Sequence, residues 1–343
     1  NRPTALLIIV VATCCKWDIC AAQELSVSVR QITFGQRHHF FGYIGHVQNV
    51  PWNASGRYLV ALRTDFQDHL PAPDEAADIV LLDAHEDYAV RTVDRTLAWN
   101  LQQGTMLYWN PDAAETQFFF NDRDPQTGKV FTVLYDIDER RRIREFRFDD
   151  TPCGNSGVSQ AGGYFLALNY GRLARLRKVT GYSGAFDWTV GENAPDDDGI
   201  FKVDIASGQA KLLVSYQQLA ELLESRRPDV HDKELFINHT LVSRDGELVY
   251  FFTRANFGNP INRINVPCSI GADGTGLTAH EIHIGGHPEW DTGHQLIGRD
   301  GQAQAIYDVE RKQIVGTIGT PELFPNPEGD IALSPDGRWF VNG

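Results

Sequence analysis

Leu241-Val242-Ser243-Arg244-Asp245-Gly246-Glu247-Leu248-Val249-Tyr250 is a strand end, a tight turn and a second strand in ten residues. Asp-Gly supplies the positive φ that a tight turn demands, and the apolar residues on either side pair across it. The same signature stands at Pro51-Trp52-Asn53-Ala54-Ser55-Gly56-Arg57-Tyr58-Leu59-Val60 and at Leu333-Ser334-Pro335-Asp336-Gly337-Arg338-Trp339-Phe340-Val341. Weaker copies lie at Tyr108-Trp109-Asn110-Pro111, in Val158 to Tyr164 and in Pro288 to His294.

Between the copies runs a second pattern, an apolar strand ending in an acidic turn: VLLDAHED, TVLYDIDER, IFKVDIASGQAKLL and AIYDVERKQIVGTIG. An inner hairpin followed by an outer one, repeating at about 40 to 85 residues, is the signature of four-stranded blades in series. Stacked two-layer sandwiches are the competitor, but they would not repeat one turn in one place. The expectation is an all-β propeller over residues 34–343, with inner strands at Leu59, Phe119, Phe165, Val249, Leu296 and Phe340. The last copy has no outer hairpin after it, so the sequence reads as part of a longer, seven-bladed ring. A helix of convincing periodicity is expected only at Tyr216 to Arg226, where Leu219, Leu222 and Leu223 share a face.

Composition fits a large globular chain: 343 residues, 42% hydrophobic and 22% charged. Acidic residues outnumber basic ones by 45 to 31, a net charge of −14, which disfavours nucleic acid and anionic membranes as partners. The apolar run Ala5 to Cys15, with Arg2 before it and Cys20-Ala21-Ala22 after it, reads as a signal peptide over residues 1–23. A buried strand is the alternative there. The signal reading implies a secreted or periplasmic protein with no membrane attachment once the signal is removed. It leaves Cys153 and Cys268, for which pairing, metal binding and burial as thiols all stay open.

Three stretches resemble consecutive blades of the oligogalacturonate lyases: Asn238-His239-Thr240-Leu241, Gly286-His287-Pro288-Glu289-Trp290, and Asp330 to Val341. His38-His39-Phe40-Phe41-Gly42-Tyr43 with Pro51-Trp52 is similar to the propeller-type ulvan lyases, and TolB-like propellers share the hairpin motif more distantly. The likeness spans most of residues 34–343 at the level of blades. It implies a polysaccharide lyase that cleaves an anionic, uronate-containing polysaccharide or oligosaccharide by β-elimination. It also implies a divalent metal, Mn or Zn. Where oligogalacturonate lyases carry a Gln-and-His metal cluster before the last hairpin, this chain reads Glu328-Gly329-Asp330, so their site is not carried over whole.

That chemistry requires a base for the C5 proton, an acid for the leaving oxygen and a cation on the carboxylate. His39 and His46 are the expected bases, with His38 and Tyr43 beside them in an aromatic run suited to sugar faces. Arg172 and Arg175 are the expected cations, Tyr170 the acid with Tyr182 behind it, and Asn121 a substrate contact in the loop Asn121-Asp122-Arg123-Asp124. His239, His287 and His294 are the expected metal ligands, while His280 and His283 alternate on an outer strand and are expected at the surface. The alternative is a non-catalytic TolB-like propeller that binds a glycan or a protein. No Gly-x-Ser-x-Gly elbow supports a hydrolase.

Overall fold

The computed structural model describes residues 28–41, 49–323, 327, 331–334 and 336–342. The chain divides into a short unit, residues 1–32, and a large one, residues 33–343, which carries all the described strands. The expected signal peptide, Tyr43 and His46 lie outside the described residues.

Five antiparallel meanders follow one another. The first holds β1 (His38–Phe40), β2 (Tyr58–Thr64), β3 (Ala77–Asp83) and β4 (Ala89–Thr96). The second holds β5 (Tyr108–Trp109), β6 (Gln117–Arg123), β7 (Val130–Asp136) and β8 (Arg141–Phe146). In the third are β9 (Gly154–Val158), β10 (Tyr164–Leu168), β11 (Gly199–Asp204) and β12 (Ala210–Ser215). The fourth comprises β13 (Phe236–Val242), β14 (Leu248–Ala255), β15 (Ile264–Gly271) and β16 (Thr278–Ala279). The fifth comprises β17 (Gly285–Trp290), β18 (Gln295–Asp300), β19 (Ala303–Asp308) and β20 (Gln313–Ile318), and a sixth sheet pairs β21 (Ile331–Leu333) with β22 (Phe340–Asn342). This is a β-propeller. Among the described residues α-helix occurs only at α1 (Tyr170–Leu176), between β10 and β11, and at α2 (Tyr216–Leu223).

Neighbouring sheets stack face to face, so their middle strands are apolar on both sides. On β6, Phe118 and Phe120 pack toward the first sheet while Phe119 packs toward the third, 5.8 Å from Phe165. Strand β14 repeats the arrangement, with Val249 and Phe251 on one face and Tyr250 and Phe252 on the other. Each phenylalanine buried this way contributes roughly 1.5–3 kcal/mol. The fourth strands are the exposed ones; β20 alternates exposed and half-buried along its length.

The repeated turn owes its geometry to side chains as well as to glycine. In the fourth sheet Ser243 Oγ donates to Asp245 Oδ1 at 2.6 Å and accepts from Leu248 N, with Gly246 at φ 77°. Ser334, Asp336 and Trp339 rebuild that pattern at the last turn. One expectation needs correction. Leu59, Phe119, Phe165, Val249, Leu296 and Phe340 lie on the second strand of each sheet, not the innermost. The first strands are the ones that meet at the centre: Thr240 on β13 donates to Ser156 on β9 at 2.8 Å. Trp290 on β17 likewise donates through Nε1 to Leu241 O on β13. The turn motif flanks both strands with apolar residues, so it marks the hairpin without saying which strand is axial.

Candidate functional site

In the second to sixth sheets the first strand is followed by a residue whose backbone N–H closes the turn, Asn110, Ser159, Ser243, Asp291 and Ser334, and Asn53 does the same before β2. Four residues before these anchors stand Asn49, Met106, Asn155, His239 and His287, the sixth position being Asp330 outside the described residues. This is one station repeated around the axis. Asn155 Nδ2 donates to Met106 O at 2.9 Å, linking the station between the second and third sheets. His239 and His287 link it between the fourth and fifth, with ring centroids 5.0 Å apart.

The station is bulged. Pairing slips between Asn238 and Leu241 on β13, between Gly285 and Glu289 on β17, and opposite Ser156 on β9. Bulges re-aim side chains that a regular strand would point elsewhere. His239 takes φ 59° and Met106 φ 54°, left-handed values that cost a non-glycine residue energy and cluster at functional positions. Asn49 and Asn155 each hold a buried side-chain oxygen with no hydrogen-bond partner. Buried, unmatched acceptors on an axial ring are suited to a bound ligand or ion.

Around the histidine pair gather further groups. Phe252 meets His239 edge-on at 5.9 Å and His283 at 5.4 Å, and Arg254 lies over the same ring at 4.7 Å. Arg254 also donates to Asn238 Oδ1 and Asn265 Oδ1, both at 2.7 Å. Burial, with Arg254 adding to it, holds His287 below the ordinary imidazole pKa; burial, Arg254 and Arg263 do the same to His283. Neutral imidazoles are metal ligands and proton acceptors. Two imidazoles sharing one tetrahedral ion, with metal–nitrogen distances of about 2.0–2.1 Å, put their ring centroids about 5 Å apart. The observed pair fits that separation.

The other expected site residues are elsewhere. Tyr170 and Tyr182 are fully buried and stacked at 4.1 Å; Tyr170 donates to Asn155 O, and Asn121 donates to the Tyr182 hydroxyl. Burial raises both phenols well above their usual pKa. Asn121 also accepts from Asn155 N and Thr132 Oγ1, so every group of its amide is committed inside the protein. Arg172 is wholly buried and donates to Leu235 O, Thr189 Oγ1, Glu192 O and Asn193 O. Arg175 is held by Asp187 at 2.9 Å and by Glu234. The expected loop is helix α1, capped by Asn169 Oδ1, and the helix carries these residues into the third sheet's packing.

His38 and His39 lie on β1, half-buried; both ring nitrogens of His39 are buried without a partner. Burial first, then Arg63, Arg37 and His38, keep His39 below its usual pKa. His294 does not join the other two histidines. Its Nε2 meets Asp245 Oδ2 at 2.9 Å and its Nδ1 meets Glu310 at 3.0 Å, at the turn end of the strands. Atoms of Asp245, Glu247 and His294 lie within 4.8 Å of one another there. His283 is exposed, as expected, but His280 is not at the surface. His280 is buried between Tyr307 and Ser269, with its pKa pushed down to about 4 by burial and by Lys312 and Arg226. Cys153 and Cys268 are both buried free thiols. Arg254 escaped the sequence reading altogether, because a single arginine ending an apolar strand carries no spacing signal.

No family model matches this chain, and no curated protein matches it. Among solved structures, hydrazine synthase of Kuenenia stuttgartiensis is similar at TM-score 0.49 and 12% identity, over 85% of this chain and 78% of that one. A chain from a structural and mechanistic analysis of two prolyl endopeptidases is similar at TM-score 0.41 and 10% identity. That likeness covers 82% of this chain and 34% of the other, so this chain spans about a third of its length. At these levels neither likeness carries an activity or a substrate to this chain.

Proposed function

We propose that this propeller binds a uronate-containing glycan at its axis and cleaves it by β-elimination, with a divalent ion held by His239 and His287. The observation that supports this reading is the two imidazoles at one station of adjacent sheets, 5.0 Å apart. An ion held by His239 and His287 would offset the uronate carboxylate and so acidify the C5 proton. His283, exposed, held below the ordinary imidazole pKa and across Phe252 from His239, accepts that proton. The bond from C4 to the leaving oxygen then breaks, the leaving oxygen takes a proton from water, and a carbon–carbon double bond remains. Imidazole donors suit zinc better than manganese. Export, as the leader at residues 1–23 suggests, would bring the protein to such a substrate.

A second reading, glycan binding without cleavage, gains support from one observation: Tyr170, Arg172 and Arg175 are all committed to internal bonds. One experiment separates the two. The protein is incubated with a panel of uronate glycans, with and without a chelator, and followed by the absorbance of the unsaturated product. Chelator-sensitive absorbance is the expected result. Binding without absorbance would replace the lyase by the scaffold.

A further inference from the structure

Beside the histidine pair, three guanidinium groups surround one phenyl ring. Arg177 lies 4.5 Å from the centroid of Phe257, Arg254 4.6 Å and Arg263 5.4 Å. Arg177 ends helix α1, in the connection between the second and third strands of the third sheet. Phe257 and Arg263 belong to the corresponding connection of the fourth sheet, and Arg254 closes the strand before it. A cavity of about 310 Å³, lined by Leu176, Asp232, Lys233, Phe236 and Asn256 among others, opens next to the residues flanking Arg177 and Phe257, although the arginines themselves do not line it. Its Glu234 is already engaged by Arg175.

What sets Arg177 apart is its missing counter-charge. Every other deeply set arginine on this side has acceptors: Arg172 has four residues and Arg175 has two carboxylates. Arg177 is half-buried, its Nε is buried without a hydrogen-bond partner, and among the described residues no carboxylate pairs with it or with Arg263. Burial alone lowers its pKa. A cation over a phenyl ring recovers only about 0.5–2 kcal/mol. Desolvating a charge without an anion costs more than that, so the arrangement is suited to an anion that arrives from outside.

We propose that Arg177, Arg254 and Arg263, gathered around Phe257, form an oxyanion subsite that takes a carboxylate or sulfate group of the bound glycan. Naming a glycan as the carrier rests on the function proposed above; the oxyanion chemistry does not. Guanidinium forks present paired donors that match either group, and in a partly desolvated setting such charge-assisted bonds are strong. The subsite lies beside the His239–His287 pair, since Arg254 borders both Phe252 and Phe257. One sugar of an oligosaccharide would sit at the ion while an anionic group of a neighbouring residue is held here.

The test is calorimetric titration of the protein with sodium sulfate, with an oligoglucuronate, with a sulfated neutral oligosaccharide and with the unmodified neutral oligosaccharide. Wild type should bind one or both anionic sugars and not the neutral one. Arg177→Ala and Arg263→Ala should each weaken that binding at least about tenfold. Arg177→Ala should melt at the wild-type temperature or above, because it removes an uncompensated charge; a purely structural arginine would instead melt lower and leave binding intact. Arg263 is exposed, so Arg263→Ala keeps the test valid if the Arg177 variant does not fold. The carboxylate and sulfate arms identify which group is bound. Anion binding within about twofold of wild type in both variants, or no preference for anionic over neutral sugar, would overturn the proposal. Oxyanion binding without unsaturated product would remove the lyase and leave the subsite standing.

Discussion

The imidazole of His239 lies 5.0 Å from that of His287, and the two residues occupy the same station of adjacent sheets, four residues before the turn. Sequence distance between them is large, yet the repeat makes them neighbours. A propeller thus converts a periodic position in the chain into a ring of side chains at its axis.

The backbone at that station provides a clean variant. Because His239 sits at φ 59°, glycine there relieves a left-handed strain that alanine retains. His239→Gly should therefore be about 1–2 kcal/mol more stable than His239→Ala in chemical unfolding. Both should lose zinc affinity by at least about tenfold in competition with a chelating dye. Zinc binding equal to wild type in the glycine variant would take His239 out of the ion site.

The fold was legible because its signal is local. Ser243, Asp245 and Gly246 specify their turn within five residues, and Ser334, Asp336 and Gly337 repeat it. The axial strands were not legible for the converse reason. Gly154-Asn155-Ser156-Gly157 and Asn238-His239-Thr240 are polar and bulged, and they alternate like no regular strand. Helix α1 was missed although Asn169 is an ordinary N-cap, because seven residues containing Gly171 show too little periodicity. Charge alone could not separate Arg172, satisfied by carbonyls and Thr189, from Arg177, which has no acceptor among the described residues. The burial of His280 is set by Tyr307 in the next sheet, a contact 27 residues away.

Tyr170 tests the site assignment from the other side. Its hydroxyl is buried and bonded to Asn155 O at 2.9 Å, so it holds the bulged strand in place and does not reach substrate. Tyr170→Phe should cost about 0.5–1.5 kcal/mol of stability and, on the proposed lyase reading, leave turnover by the folded protein unchanged. A fall of about a hundredfold or more in turnover at wild-type affinity would restore Tyr170 as the acid.

Arg172 should behave as a latch. Its guanidinium ties α1 to Leu235 O, Thr189, Glu192 O and Asn193 O while stacking 4.7 Å over Tyr216. Arg172→Ala strands several buried acceptors at once and should lower unfolding free energy by at least about 3 kcal/mol. Arg172→Lys, with one point charge in place of a fork, should recover only part of that. A variant as stable as wild type in urea would show the contacts to be incidental.

His294 makes stability depend on pH. Burial opposes its charge, but Glu310 and Asp245 outweigh burial and raise its pKa above the ordinary value. A histidine with a raised folded pKa stabilises fully below its unfolded value of about 6.5, and the benefit fades as pH rises through the folded value. On the acid side the benefit ends where the carboxylates protonate. Asp245 titrates low despite its burial, because Ser243, Glu247 N and His294 hold its charged form. Glu310 is 67% exposed and Asp245 48%, so solvent screening limits the clamp to about 1 kcal/mol or less. Unfolding free energies of wild type and His294→Gln should therefore differ most near pH 5.5–6 and converge above about pH 8. Raising the salt concentration should shrink the gap. A gap that is constant across that range would mean that His294 contributes through packing alone.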